Sequence, residues 1–170
     1  FHGAVRALSP DALLVGEVWD ISSISASYVP DALDMTFEFG LATAWREAVR
    51  NGQARSLAGS LREVAGLEAP GEFGAFLANH DMDRIASQLG GDPAKLRLAA
   101  SLLLTGPGVP FVYYGEEIGM SGAKPDERIR TPMQWAATMP AGGFSSAKPW
   151  EPLSDDWRTV NVAAENDDPG

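Results

Sequence analysis

Residues 74–84 read GAFLANHDMDR, an apolar and aromatic run that ends on Asn79, His80 and Asp81. Gly74 to Ala78 has the length and composition of a buried strand. Asn and Asp are ordinary turn formers, so taken alone the three polar residues need only close that strand. Whether they do more depends on what stands at the ends of the other strands.

Working outward, FHGAVRAL at the start has helical spacing with Phe1, Val5 and Leu8 on one face, and Ser9 and Pro10 should stop it. ALLVGEVWD follows and predicts a buried strand, Leu13 to Gly16, with Glu17 at its exit. After a Ser-rich loop, LDMTFEF (33–39) alternates as a second strand. Residues 41–50 and 53–65 have helical periodicity, and Asn51 and Gly52 supply the stop between them. Beyond the opening stretch, Asp92 and Pro93 suit the N-cap and first position of a helix through Leu104. GVPFVYYGEE then predicts a fourth strand, Val109 to Tyr113. From Gly115 onward the chain is rich in Gly and Pro and weakly periodic, which reads as a long functional loop.

Strands separated by helical segments imply a parallel sheet with crossover connections. In such architectures active sites lie beyond the C-terminal ends of strands, where Glu17, His80 and Asp81 fall. Periodicity does not separate a closed barrel from a doubly wound sheet, although no GxGxxG follows any strand, which disfavours dinucleotide binding. Two carboxylates converging at one sheet face are the equipment of glycoside hydrolysis.

Composition narrows the classes further. The 170 residues carry 13 basic and 23 acidic side chains, a net charge of -10 that argues against nucleic-acid or anionic-membrane partners. Six of the acids and one Arg lie in the last twenty residues, so half of that charge sits in an acidic, solvated tail. No run approaches the ~18 apolar residues of a membrane span. The absence of Cys excludes thiolate metal sites and disulfides without fixing a compartment, and localisation is left open. A start inside a helix, with no Met and no signal pattern, suggests a piece of a longer protein.

GEVWD (16–20), FLANHDMDR (76–84), GVPFVYYGEEIGM (108–120) and IRTPMQW (129–135) occur in this order and at intervals that together resemble glycoside hydrolase family 13, the α-amylase superfamily. The resemblance covers nearly the whole chain. It implies that residues 1–170 form part of a (β/α)8 catalytic barrel, strands five to eight, without the first half of the barrel or a C-terminal β domain. It also implies a retaining α-glucan hydrolase acting on α-1,4 bonds of starch or maltooligosaccharides. An α-glucosidase, trehalose synthase or glucanotransferase is the alternative within the superfamily, and a non-catalytic sugar-binding relative is the alternative outside enzymology.

Residue by residue, the resemblance makes Glu17 the general acid/base, which needs burial or a neighbouring carboxylate to stay protonated. It makes Asp81 the carboxylate that holds the 2- and 3-hydroxyls of the sugar, and His80 a hydrogen-bond partner of the same sugar. Arg84 is expected to pair with a carboxylate or to lie on the surface, Trp19 to stack on a sugar or enter the core, and Arg130 to join the substrate-binding set. Asn79 should fix the turn, and Tyr113, Tyr114 and Glu116 should act structurally. No GFRxD-like motif for the family's nucleophile occurs in these residues, and Ala136 replaces an Asp that often follows the Trp of RTPMQW in exo-acting relatives. With His2 the one other histidine, a two-His metal site is not expected; no cofactor is expected here, and any calcium belongs to the longer protein.

Overall fold

The computed structural model describes residues 1–67 and 71–166. Asp167 and Asp168 of the acidic tail lie outside the described residues. The chain divides into two compact units, one formed by Phe1–Leu77 with Leu98–Phe111, the other by Ala78–Arg97 with Val112 onward.

The first unit holds α1 (His2–Leu8), β1 (Val15–Gly16), α2 (Ser22–Ala26), β2 (Met35–Phe37), α3 (Phe39–Asn51), α4 (Ala54–Leu67) and β3 (Phe73–Phe76). It also takes the second half of α6 (Pro93–Thr105) and β4 (Val109–Phe111). All strand pairs are parallel, in the order β1-β2-β3-β4, with Val15 opposite Met35, Phe37 opposite Gly74 and Phe76 opposite Phe111. A doubly wound sheet reverses its strand order at a switch point. Here every strand lies beside its predecessor, the order of a barrel segment.

Period-two alternation puts Phe37, Phe76 and Phe111 on one face of this sheet. Phe37 meets Phe111 edge-on at 4.8 Å across Gly74, where a Cβ would come within 2.9 Å of the Phe37 ring. The opposite face carries Thr36, Phe73 and Ala75, each at most 1 % exposed. Buried beside them in the same unit are Leu41, Trp45 and Val49 of α3, Leu57 and Val64 of α4, and Ala99 and Leu103 of α6. The α3 helix packs on α4 and β3, so its apolar stripe is what closes this core.

Local signals explain most boundaries. Gly52 adopts φ 67° as the left-handed cap of α3, and Asp92 Oδ1 accepts the N–H groups of Ala94 and Lys95 at the start of α6. The second strand is shorter than 33–39 because Glu38 leaves the ladder to cap α3. Its Oε1 accepts from the N–H groups of Gly40 and Leu41 and from Ser22 Oγ. A carboxylate satisfying donors at a helix N-terminus is also stabilised by the helix dipole. The Ser-rich loop contains the short helix α2, and the first strand is trimmed to two residues, with Leu13 exposed. Phe1 and Leu8 are exposed as well, and α1 is tied down by contacts of His2 and Arg6 with the Asp34 carboxylate.

The second unit contains α5 (Ile85–Gln88), the first half of α6, a 3-10 turn (Glu116–Ile118), α7 (Asp126–Ile129) and α8 (Val162–Asn166). It has no strand among its described residues. Its core is made by Ile85, Leu89, Met120, Ile129 and Ala141, together with the buried polar side chains Arg84, Thr131, Gln134 and Asn161. Long loops can be buried only when their polar groups are paired, and here many are: Gln134 Nε2 donates to the Val160 carbonyl, and Ser121 Oγ to Asp156. Among the described residues no helix is long and apolar enough to cross a membrane.

Candidate active site

Each segment with candidate chemistry follows a strand. GEVWD leaves β1, and Glu17 and Trp19 are both exposed. Trp19 stacks on Phe39 with ring centroids 4.9 Å apart and planes 14° from parallel, so one face is taken by protein and the residue remains 65 % exposed. Within its own unit Glu17 stands at the exposed exit of β1. There β1 is an edge strand paired only with β2, and no described residue hydrogen-bonds or ion-pairs with the Glu17 carboxylate.

The second unit gathers His80, Asp81 and Arg130. After β3 the chain turns through an Asx motif in which Asn79 Oδ1 accepts the Asp81 N–H at 2.9 Å. That turn sets the direction of Asp81. Arg130 Nη2 donates to Asp81 Oδ1 at 2.6 Å, and its Nε donates to the His80 carbonyl at 2.8 Å. His80 Nε2 lies 3.5 Å from Asp81 Oδ2. A carboxylate offers roughly four acceptor positions. With one committed to Arg130 and one facing His80, Asp81 keeps acceptors for two further donors such as a vicinal pair of hydroxyls. All three side chains are partly open to solvent.

Arg130 also reaches Asp126 Oδ2 at 2.8 Å, so one guanidinium serves two carboxylates. Lys124 beside Asp126 holds its carboxyl below the usual range, with Arg130 and His80 acting in the same direction. Asp126 is therefore an ionised second anchor for Arg130.

Arg84 departs from both expected readings. It is fully buried, so it is neither a surface Arg nor able to touch a substrate directly in this structure, and its partners are not carboxylates. Its Nη1 donates to the Tyr114 carbonyl at 2.6 Å, and its guanidinium lies 4.7 Å from the ring centres of both Tyr113 and Tyr114. Nε and Nη2 have no hydrogen-bond partner, which leaves the two π-faces to offset their desolvation. The tyrosines continue the chain of support. Tyr113 Oη donates to the Ile129 carbonyl at 2.9 Å and Tyr114 Oη to the Thr131 carbonyl at 2.7 Å. These two carbonyls bracket Arg130. Burial pushes the Tyr113 phenol far up, with Tyr114 adding to the shift, so its hydroxyl stays a donor at any working pH.

Glu116 sits in the same cluster. Burial pushes its carboxyl up to about 8 and Glu117 adds to this, against the lowering influence of the Tyr113 N–H, Arg84 and the Ala78 backbone. Its Oε2 accepts the Tyr113 N–H at 3.2 Å, while Oε1 has no partner. The bracketing of Arg130 by the tyrosine hydroxyls shows only in the contacts, because YY (113–114) and RTPMQW (130–135) are well separated in the sequence. Among the described residues no group of three or more His, Asp or Glu converges so as to hold a metal ion.

A family model described as the catalytic domain of alpha amylase matches residues 1–170. Alpha-amylase 3 of Dictyoglomus thermophilum is 42 % identical over 144 residues, covering 82 % of this chain and 28 % of that protein. The 4-alpha-glucanotransferase of Thermotoga maritima is 39 % identical over 98 residues, covering 55 % of this chain and 22 % of that protein. Among solved structures, the alpha-amylase from H. orenii superposes with a TM-score of 0.87 at 38 % identity, over 98 % of this chain and 34 % of that one. The chain thus spans about a third or less of the length of these relatives.

Proposed function

The chain belongs to the α-amylase catalytic-domain family, and on that premise we propose that the protein carrying it is a retaining α-glucan hydrolase cleaving α-1,4 bonds in starch or maltooligosaccharides. Residues 1–170 are the second half of its catalytic barrel, and the nucleophilic Asp comes from sequence beyond these residues. Glu17 protonates the departing glycosidic oxygen and then takes a proton from water. Asp81 accepts the 2- and 3-hydroxyls of the sugar whose bond is broken. As positive charge grows on the ring those hydroxyls become stronger donors, so an ionised acceptor gains more in the transition state than in the ground state. His80 and Arg130 hold the carboxylate in place, and Arg84 with the two tyrosines holds Arg130. Any calcium requirement lies with the longer protein.

The observation that carries this reading is the Asp81 clamp: one carboxylate oriented by an Asx turn and a guanidinium, with acceptors left for two hydroxyls. The test is hydrolysis of maltooligosaccharides by the protein carrying this sequence, with Glu17→Gln and Asp81→Asn variants. Loss of turnover in both, with the fold retained, supports the reading; full activity in either overturns it. The match to a 4-alpha-glucanotransferase favours a second reading, in which a sugar hydroxyl replaces water as the acceptor. Product analysis separates the two, since transfer yields oligosaccharides longer than the substrate.

A further inference from the structure

Residues 122–130 form a loop whose two ends are fastened to the same short stretch of chain. At the near end the Gly122 carbonyl accepts the Arg84 N–H at 2.9 Å, the Gly122 N–H donates to Ser87 Oγ at 2.8 Å, and the Lys124 N–H donates to Asp83 Oδ1 at 2.7 Å. At the far end Arg130 holds the His80 carbonyl and the Asp81 carboxylate. The two ends also touch. A Cβ on Gly122 would come within 2.5 Å of the Arg128 carbonyl oxygen, so the near limb lies directly against the turn of α7 that leads into Arg130. Between the ends Lys124 Nζ pairs with Asp126 Oδ1, and Asp126 Oδ2 with Arg130 Nη2. The contacts thus close a ring that runs from Asp83 through Lys124, Asp126 and Arg130 to Asp81, two residues from where it began.

We propose that Asp83 is a positioning residue for the Asp81 clamp: by holding the Lys124 N–H it fixes the near end of the 122–130 loop, and with it the place where Arg130 meets Asp81. The inference rests on the proposed reading of Asp81 as the carboxylate that holds the sugar, and extends it to a residue that acts only through the loop. The physical need follows from exposure. The side chains of Arg130, Asp81 and Asp126 are 33 %, 36 % and 43 % exposed, and ion pairs this open to water are individually weak. A guanidinium held by such pairs alone would lose little by swinging away. Carried on a loop that is closed at both ends, it has less freedom to give up when the pairs form, so the same contacts hold it more firmly. Among the three ties at the near end, Asp83 supplies the one charged acceptor, and a carboxylate binds a backbone N–H more strongly than a neutral oxygen does. It is also the tie nearest to Asp81 along the chain.

The experiment uses the protein carrying this sequence. Asp83→Ala is expected to lower kcat/KM on maltopentaose about five- to tenfold, the size of one hydrogen bond to a charged group. Asp83→Asn, whose amide oxygen still accepts the Lys124 N–H, should stay within about twofold of the parent. In an Arg130→Ala background Asp83→Ala should have no further effect, because its action passes through that guanidinium. A merely weakened fold would instead cost the same in both backgrounds. Hydrogen exchange supplies a readout that needs no turnover: the Lys124 amide should exchange at least about tenfold faster in Asp83→Ala and near the parent rate in Asp83→Asn. Activity of Asp83→Ala within about twofold of the parent, equal losses with and without Arg130, or unchanged Lys124 exchange overturns the positioning role. If Asp81→Asn abolishes turnover while Asp83→Ala leaves it unchanged, the hydrolase reading stands and Asp83 alone fails. If the parent shows no turnover on maltopentaose, the hydrolase reading fails and the positioning role with it, and a response of Lys124 exchange then shows the fastening of the loop alone.

Discussion

The two units carry their chemistry in opposite ways. In the first, a regular parallel sheet delivers Glu17 from an edge strand into the open, with no hydrogen-bond or ion-pair partner of its carboxylate among the described residues. In the second, which has no strand among its described residues, Asp81 is oriented by its own turn and by Arg130, and Arg130 is bracketed by carbonyls held by Tyr113 and Tyr114. Regular backbone places a side chain but does not by itself orient it. Irregular backbone must spend buried polar contacts on its own stability, and those contacts are also what fix a functional group. A general acid can be tuned by whatever comes to surround it, whereas a carboxylate that must match two hydroxyls needs its direction built in.

The largest effects should come from the two carboxylates and should differ in kind. Glu17→Gln is expected to cost about 10²- to 10⁴-fold in kcat on maltooligosaccharides, the usual worth of a general acid. Much less should be lost on an aryl glucoside whose leaving group needs no protonation. Asp81→Asn should lower the rate on both substrates, because it acts on the sugar ring rather than on the leaving group. Equal losses for the two variants across the two substrates would erase the distinction between a proton donor and a ring holder. By itself the 170-residue chain, which has no GFRxD-like motif, is expected to show no turnover.

Next in size is Arg84→Met, which removes a buried guanidinium bonded to the Tyr114 carbonyl and flanked by two rings. A loss of about 2–4 kcal/mol in stability is expected, measured by denaturant titration, from the orphaned carbonyl and the lost cation–π contacts. Arg84→Lys should not restore it, since an ammonium cannot span both rings and the carbonyl as a planar fork does. Tyr114→Phe is milder. Losing the bond to the Thr131 carbonyl should cost about 1 kcal/mol. It should also raise KM for maltooligosaccharides, because the loop that carries Arg130 loses one of its two ties. A change in stability with no change in KM would reduce the tyrosine pair to scaffolding.

The same contrast explains what could be read before the fold was seen. In the first unit, the Asn51-Gly52 stop and the apolar runs of all four strands are local signals, and they place every strand in order. Their ends are less legible: Glu38 reads as a strand residue because its capping partners, Ser22 and the α3 backbone, are set by packing. In the second unit GAFLANHDMDR shows where His80 and Asp81 arrive. It does not show that Arg84, three residues on, turns inward to two tyrosines thirty residues away rather than toward a carboxylate. The exposed Trp135 and Phe144 have no periodic signature, since loop closure through Gly142 and Gly143 brings them together.

The pH dependence of stability should also separate the units, which are expected to respond in opposite directions. In the first unit the Leu14 N–H, Arg6 and His2 hold the Asp34 carboxyl down at about 2 from an ordinary 3.8. The folded state therefore binds that proton less readily than the unfolded chain. Its contribution is complete above pH ~4 and is lost as pH falls toward 2. In the second unit Glu116 is raised from 4.5 to about 8, so the folded state holds a proton that the unfolded chain has released. Between those two values stability should fall as pH rises, and above about 8 the cost is fully present. Asp34→Asn should flatten only the acid limb of a stability profile and Glu116→Gln only the limb from about 4.5 to 8. If either substitution altered the other's limb, the two acids would be coupled, and the separation of the units drawn from their contacts would not extend to their electrostatics.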